Sequence, residues 1–176
     1  MRALLHELRA QHAHNFGWAL ACCGWRREMA EDVLQESYLR VLDGRANFAG
    51  QSAAQTWFFA VIKRVAAESF RRQKRRDLLN LRILRSDAGV ADMPGETDSA
   101  QQLQHDEAAA ALTLALLALP QRQREVLHLV FYSELTLEQV AQVLRISLGS
   151  VRTHYHRGKT ALAQRLALEE PDDTLR

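Results

Sequence analysis

The sequence contains little proline, little glycine and few aromatic residues. Of its 176 residues, 3 are Pro, 8 are Gly and 7% are aromatic. Because Pro and Gly interrupt helices, their scarcity permits long helices, and no alternation of Val, Ile and Thr with polar residues persists as it would in strands. The composition therefore predicts an all-α fold. A hydrophobic content of 47% and a charged content of 25% are normal for a folded soluble protein.

Long apolar runs and spaced cysteines are also missing. No run approaches the roughly 18 apolar residues that suggest a transmembrane helix, and the N-terminal MRALLHELRAQHAHNFGW lacks the apolar centre of a signal peptide. We therefore expect no membrane insertion and a cytoplasmic protein. Cys22 and Cys23 are adjacent, which disfavours a disulfide framework and a metal site. We interpret them as two small apolar side chains on a helix.

Sets of residues that perform catalysis are not apparent. The sequence shows no paired carboxylates, no glycine-rich phosphate loop and no combination of nucleophile and base. His154 and His156 are two positions apart and so point to different faces of a helix, which argues against a metal pair. We expect no enzyme, with no catalytic residue, no metal and no cofactor.

Charge is distributed in three blocks, although the formal net charge is only +2. Trp57–Arg76 contains seven Lys or Arg and one Glu, whereas Ser86–Glu107 contains six acids and no Lys or Arg. Arg145–Arg165 contains five basic residues and no acid. Each basic block creates a local field that suits a polyanionic partner.

The acidic segment SDAGVADMPGETDSAQQ combines Gly, Pro, Ser and acids with almost no bulky apolar residue. Such a composition is typical of a flexible linker. We therefore expect two small domains: a helical bundle over 1–85 and a second helical domain over 106–168. The linker between them covers 86–105, and an acidic tail covers 169–176.

Hydrophobic periodicity predicts three helices in the first domain, at Leu4–Ala21, Glu28–Leu42 and Thr56–Arg76, with a loop at Asp43–Gln55. The second helix buries a wide stripe that includes Leu42, and the third turns its apolar residues inward. On the exposed face of the second helix, offsets of three and four bring together Asp32, Gln35 and Glu36.

The second domain begins with a helix at Ala108–Leu119, ended by Pro120, and a helix at Arg122–Tyr132 that buries Phe131 among other apolar residues. The segment TLEQVAQVLRISLGSVRTHYHRGKTALAQRL then predicts a helix-turn-helix. Its first helix starts with a capping box at Thr136 and Gln139, and Ser147 caps its second.

The second helix of such a unit enters the DNA major groove, where Arg, Ser, Thr and His can contact phosphates and base edges. Two residues of this unit lower its stability. Arg145 occupies a turn position that often holds Gly, and a left-handed conformation of this arginine would cost about 1–2 kcal/mol. Gly158 lies inside the helix, where Gly costs about 1 kcal/mol relative to Ala. An αα-hairpin that binds nothing is the alternative for this segment.

Together, the blocks AEDVLQESYLRVLDGRANFAGQSAAQTWFFAVIKRVAAESFRRQKRR and LPQRQREVLHLVFYSELTLEQVAQVLRISLGSVRTHYHRGKTAL resemble the extracytoplasmic-function (ECF) class of bacterial RNA polymerase sigma factors. A helix-turn-helix alone is weakly specific, whereas the two blocks in this order are strongly so. The resemblance implies an alternative-type sigma factor that binds core RNA polymerase, directs promoter-specific transcription initiation and aids DNA melting. It also implies an anti-sigma factor as partner.

The resemblance further implies a role for individual residues. Core polymerase, through the clamp coiled coil of its largest subunit, would bind Asp32, Gln35 and Glu36. The downstream (minus-10) promoter element would be melted and bound by Phe48, Gly50, Gln51, Ser52, Lys63, Arg64, Glu68, Arg71 and Arg72. The upstream (minus-35) element would be bound by Ser147, Ser150, Arg152, Thr153, His154 and Arg157. Phe48 could equally be a hydrophobic plug in the loop.

The alternative function is a stand-alone helix-turn-helix regulator, which would bind closed duplex DNA without polymerase. Its N-terminal half would dimerise or bind a ligand. The loop and basic helix over Asn47–Arg76 favour the sigma factor.

Overall fold

The protein is all-α in the computed structural model, which describes residues 2–83 and 111–169. The predicted linker and nearly all of the predicted tail lie outside these residues. The helices are α1 (Arg2–Ala10), α2 (His12–Cys22), α3 (Arg27–Leu42), α4 (Ala54–Ile83), α5 (111–117), α6 (Gln121–Leu127), α7 (Leu137–Leu144) and α8 (Leu148–Glu169), with a π-helical turn at His128–Tyr132. Neither described range contains a strand, and the predicted fold class is confirmed.

The N-terminal half is a bundle in which α2, α3 and α4 pack on one another and α1 packs across them. Trp18 at its centre is fully buried and donates its indole N–H to the carbonyl oxygen of Phe59 at 2.9 Å. Two sequence predictions were wrong here. The first helix is divided at Gln11 into α1 and α2, and Leu42, expected in the core, is the last residue of α3 and is 53% exposed.

The C-terminal half is organised by the π-helical turn that continues α6. A π-helix has a wider turn than an α-helix, so side chains beyond Leu127 rotate away from the α-helical register. Phe131, predicted to be in the core, lies in this turn and is 58% exposed, whereas Leu129 is fully buried. Periodicity measured at 3.6 residues per turn could not anticipate the exposure of Phe131.

The helix-turn-helix is formed as predicted. The N–H of Gln139 donates to Oγ1 of Thr136 at 3.3 Å, and the N–H of Thr136 donates to Oε1 of Gln139 at 2.8 Å, which completes the capping box. Arg145 adopts the left-handed conformation, with φ of 53°. The N–H of Ser150 donates to Oγ of Ser147 at 3.1 Å and caps α8.

Gly158 lies where α8 crosses α6, and the contact explains its place inside a helix. A Cβ atom there would lie 3.1 Å from Cδ1 of Leu127 and 3.3 Å from Cβ of Gln123. We expect Gly158→Leu to lower the free energy of unfolding by about 1–3 kcal/mol, the usual cost of overpacking. Denaturant unfolding measures this loss. The matched control is Thr160→Leu, an exposed position on the same helix; equal stability of the two variants would contradict the close crossing.

The two halves share one hydrophobic core in this structure. α7 packs on α4, and α2 packs on α6 and on the π-helical turn. The Trp18 and His128 rings lie 5.6 Å apart across this boundary, and a Cβ at Gly17 would come within 2.8 Å of the Tyr132 ring. The helix-turn-helix unit is therefore docked on the N-terminal bundle.

Candidate protein and nucleic-acid interfaces

The exposed face of α3 combines acidic, amide and apolar side chains. Asp32 and Gln35 are exposed, and the Glu36 side chain is 30% exposed. On the same helix, Leu39 is 41% and Leu42 is 53% exposed. Gln35 and both leucines line a groove of about 780 Å³ that α3 forms with α1 and α2. The structure thus brings the three predicted residues to one surface. It adds Leu39, to which the sequence analysis had assigned no role, and Leu42, which that analysis had placed in the core.

Glu36 is held in place by two arginines. Its Oε1 accepts from Nε of Arg40 at 2.8 Å and from NH1 of Arg45 at 3.2 Å. The hydrogen bond from Arg40, more than any other interaction, lowers the pKa of Glu36 below its usual value. Glu36 is therefore ionised at neutral pH, but it presents an ion pair rather than an isolated carboxylate.

Arg40 connects the α3 surface to α4. Its NH2 donates to Oε2 of Glu68 at 2.7 Å, and this hydrogen bond is the main reason that the pKa of Glu68 is also lowered. The spacing of four between Glu36 and Arg40 was a sign of their pair. The pair with Glu68, 28 residues away, had no local sign, so the sequence analysis missed Arg40.

The loop between α3 and α4 exposes its polar groups and shields its aromatic residue. Phe48 is partly buried against Trp57, with ring centroids 5.2 Å apart. Gly50 is left-handed, with φ of 71°, and Gln51 is exposed beside it. The hydroxyl of Ser52 donates to the carbonyl oxygen of Ala53 at 3.3 Å. The aromatic pair and the polar turn thus lie within one short segment.

The five predicted residues of α4 fall into two groups. Arg64, Arg71 and Arg72 are exposed, and the basic surface continues through exposed residues 74–76. In contrast, Glu68 pairs with Arg40, and Lys63, only 19% exposed at its side chain, pairs with Glu125 of α6. Only the first group is open to a polyanion in this arrangement.

The outer surface of α8 carries the predicted upstream-element residues. Arg152, Thr153 and Arg157 are exposed, and His154 is partly buried. The hydroxyl groups are engaged in hydrogen bonds within α8 and its N-cap. The Ser147 and Ser150 oxygens lie 2.9 Å apart, and the Thr153 hydroxyl donates to the carbonyl oxygen of Gly149 at 3.0 Å. The two arginines are consequently the most available groups on this surface.

Cys22 and Cys23 are both buried and form no disulfide. Burial raises the pKa of the Cys22 thiol well above its ordinary value and that of Cys23 to about 11, so neither is a thiolate at neutral pH.

Across 2–83 and 111–169, no cluster of three His, Cys, Asp or Glu side chains could hold a metal ion. The same ranges include no helix with the length and apolarity needed to cross a bilayer.

His128, in the π-helical turn, lies between Trp18 and Tyr132, and burial lowers its pKa to about 4. The unfolded chain, with a His pKa near 6.5, therefore binds this proton more readily than the folded one. The free energy of unfolding should fall as pH drops from about 6.5 to about 4, by on the order of 3 kcal/mol for this group.

We expect His128→Phe to remove most of the loss of unfolding free energy between pH 6.5 and 5, measured by chemical unfolding. An unchanged pH slope would contradict the assignment; the exposed His6, replaced in the same way, is the control.

Comparison with known proteins matches both halves of the chain. Residues 9–76 match the family model of Sigma-70 region 2, and residues 115–164 match that of Sigma-70 region 4. The chain is 33% identical over 159 residues to the ECF RNA polymerase sigma factor SigX of Bacillus subtilis, covering 85% of this chain and 78% of SigX. It is 29% identical over 147 residues to SigW of the same organism, covering 78% of this chain and 75% of SigW.

The fold is also that of a solved sigma factor. The structure of RpoE in complex with the anti-sigma factor NepR, from Bartonella quintana, superposes with a TM-score of 0.70 at 20% identity, covering 97% of this chain and 100% of RpoE. The region 2 match extends over the half that a stand-alone regulator would use for dimerisation or ligand binding, and nothing supports that alternative. The family is not one of enzymes. This chain belongs to the ECF class of bacterial RNA polymerase sigma factors and is an alternative sigma factor that directs transcription initiation.

Proposed function

We propose that three separate surfaces of this sigma factor divide the work of promoter-specific initiation. Residues 1–85 form the region 2-like domain, which binds core polymerase and the downstream promoter element; residues 106–168 form the region 4-like domain, which binds the upstream element. The observation that carries this assignment is the distribution of exposed charge, which is mainly carboxylate on α3 and mainly Arg and Lys on α4 and α8.

The α3 surface suits a protein partner with a basic and apolar face. Hydrogen-bond acceptors are supplied by Asp32, Gln35 and Glu36. Exposed apolar surface next to them is supplied by Leu39 and Leu42. Exposed apolar side chains bordered by polar groups are typical of protein interfaces. We assign this surface to the clamp coiled coil of the largest polymerase subunit, with Arg40 and Arg45 holding Glu36 in position.

The loop and α4 suit a melted strand. Extracting a base from the duplex costs a few kcal/mol of stacking, which contacts to the extracted base must offset. Gln51 and Ser52 offer hydrogen-bonding groups, and the Phe48–Trp57 pair offers an aromatic wall close by. The exposed arginines of α4 would then bind phosphates of the non-template strand; these are Arg64, Arg71 and Arg72.

α8 suits the major groove of a closed duplex. Ser150, Thr153 and Arg157 are spaced by three and four positions and share one face of the helix, and Arg152 is exposed beside them. We assign the arginines to phosphate and guanine contacts. Ser147 and Ser150 stand at the amino end of the helix, where residues approach base edges.

Two further expectations accompany these surfaces. RpoE, which shares the fold, was solved with an anti-sigma factor, and we extend that class of partner to this chain. A factor that works with RNA polymerase acts in the cytoplasm, which is where we place this protein.

Site-specific crosslinking tests which partner each of the three surfaces contacts. A photoreactive residue at Gln35 should crosslink to the largest subunit of core polymerase, one at Gln51 to the non-template strand near minus 10, and one at Thr153 to DNA near minus 35. All three positions are exposed. A matched probe at exposed Gln164, near the end of α8, should give none of these products. Crosslinks from Gln35 to DNA, or from Thr153 to the clamp, would contradict the assignment.

A further inference from the structure

Glu125 is a fully buried carboxylate at the boundary between the two halves of the chain. Its Oε1 forms an ion pair with Nζ of Lys63, which belongs to α4. Its Oε2 lies 3.2 Å from NH1 of Arg122, one turn earlier on α6. The Glu125 side chain is 0% exposed, that of Lys63 is 19% exposed and that of Arg122 is 47% exposed. The carboxylate is thus the centre of a three-charge cluster that spans both halves.

A buried carboxylate requires ionic partners because desolvation strongly disfavours an isolated charge. Arg122 cannot supply all of this compensation, since it is half exposed and reaches only one oxygen. The second partner, Lys63, belongs to α4 and is available only while the two halves are docked. The docked arrangement therefore completes the environment of Glu125, and separation of the halves would hydrate Glu125 and Lys63 together.

The same docking covers part of the surface assigned to the downstream element. α7 packs directly on α4, and its Val140 and Val143 are buried in the shared core. The Lys63 ammonium is neutralised by Glu125, although it lies on the helix that we assign to the non-template strand. A phosphate oxygen of DNA and the Glu125 carboxylate are anions of similar hydrogen-bonding geometry, so they compete for Lys63.

We propose that Glu125 is an intramolecular latch that holds Lys63 and keeps the free sigma factor closed, with weakened affinity for the melted downstream element. This inference rests on the proposed role of α4. Opening exchanges the Glu125 partner of Lys63 for DNA phosphate, and it frees α7 from α4. The affinity of a protein whose competent state is fractionally populated falls by that fraction, which is how a closed state lowers DNA binding.

The test compares full-length wild-type protein with Glu125→Gln, which preserves shape and removes the charge. We expect an increased radius of gyration in small-angle scattering. We also expect about tenfold tighter binding of a single-stranded oligonucleotide that carries the downstream element, as is usual for coupling between two conformations. Glu134→Gln removes the same charge at an exposed position and should match the wild type. Wild-type dimensions and affinity in Glu125→Gln would overturn the latch.

Exchanging the charges of Lys63 and Glu125 distinguishes loss of the latch from a general folding defect. Glu125→Lys alone, which places three cations together, should expand the protein, and Lys63→Glu combined with Glu125→Lys should restore compact dimensions. The readout is the radius of gyration, because Lys63 is itself assigned to DNA. Failure of the double variant to become more compact than Glu125→Lys would overturn the latch. A lack of promoter-directed transcription by the wild type would instead refute the proposed function, and the scattering comparison would still stand.

Discussion

Replacing Asp32 with lysine should lower the affinity of this sigma factor for core RNA polymerase by roughly two orders of magnitude, because like charges placed opposite each other across an interface cost several kcal/mol. Asp32 is exposed on α3 beside Gln35 and Glu36. Its removal leaves the Arg40 and Arg45 ion pairs with Glu36 intact. Competition against a labelled reference sigma factor for core polymerase measures the change.

The matched control is Glu138→Lys, an exposed acid in the first turn of α7 and outside the assigned surface. It should retain most of the affinity for core polymerase, with a stability loss of a few tenths of a kcal/mol from the helix dipole. Wild-type affinity in Asp32→Lys, or an equal loss in both variants, would contradict the assignment of α3 to the polymerase.

Removing both exposed arginines of α8, by Arg152→Ala and Arg157→Ala together, should weaken binding to the upstream element by about 100-fold. Each good contact of an arginine with a base edge contributes roughly 1–3 kcal/mol of discrimination. Each lost phosphate contact should reduce the slope of log affinity against log salt by about one. Holoenzyme binding to an upstream-element duplex, measured over a salt series, gives both quantities.

Arg165→Ala is the control for this pair, since Arg165 is exposed near the far end of the same helix. It should change the affinity for the upstream element little. An unchanged salt slope in the double variant would show that α8 does not contact DNA through these arginines, whatever the effect on overall stability.

Local features of the fold were predictable because local interactions determine them. Thr136 and Gln139 are three residues apart, and the capping box that they form is a property of one helical turn. Ser147 caps α8 for the same reason. The exposed acids on α3 and the basic stretch of α4 follow from helical periodicity, which is why the candidate surfaces could be located from the sequence.

Features that depend on distant parts of the chain were not predictable. Lys63 and Glu125 are 62 residues apart, and their pair exists only because the halves dock. One sign was present: Glu125 and Leu129 are four positions apart on one helix face, and both are fully buried. An acid on an apolar face indicates a hidden ionic partner, but the partner cannot be identified from the spacing. The π-helical turn that exposes Phe131 was equally hidden, since no residue type marks it.

Run-off transcription with purified core polymerase, a genomic promoter library and this protein as the only added factor tests the account most directly. We expect transcripts that start at specific promoters, that depend on the added protein, and that are lost with Asp32→Lys and with the double arginine variant of α8. The contradictory result is the absence of any template-specific transcript while the protein alone binds closed duplex DNA tightly and specifically.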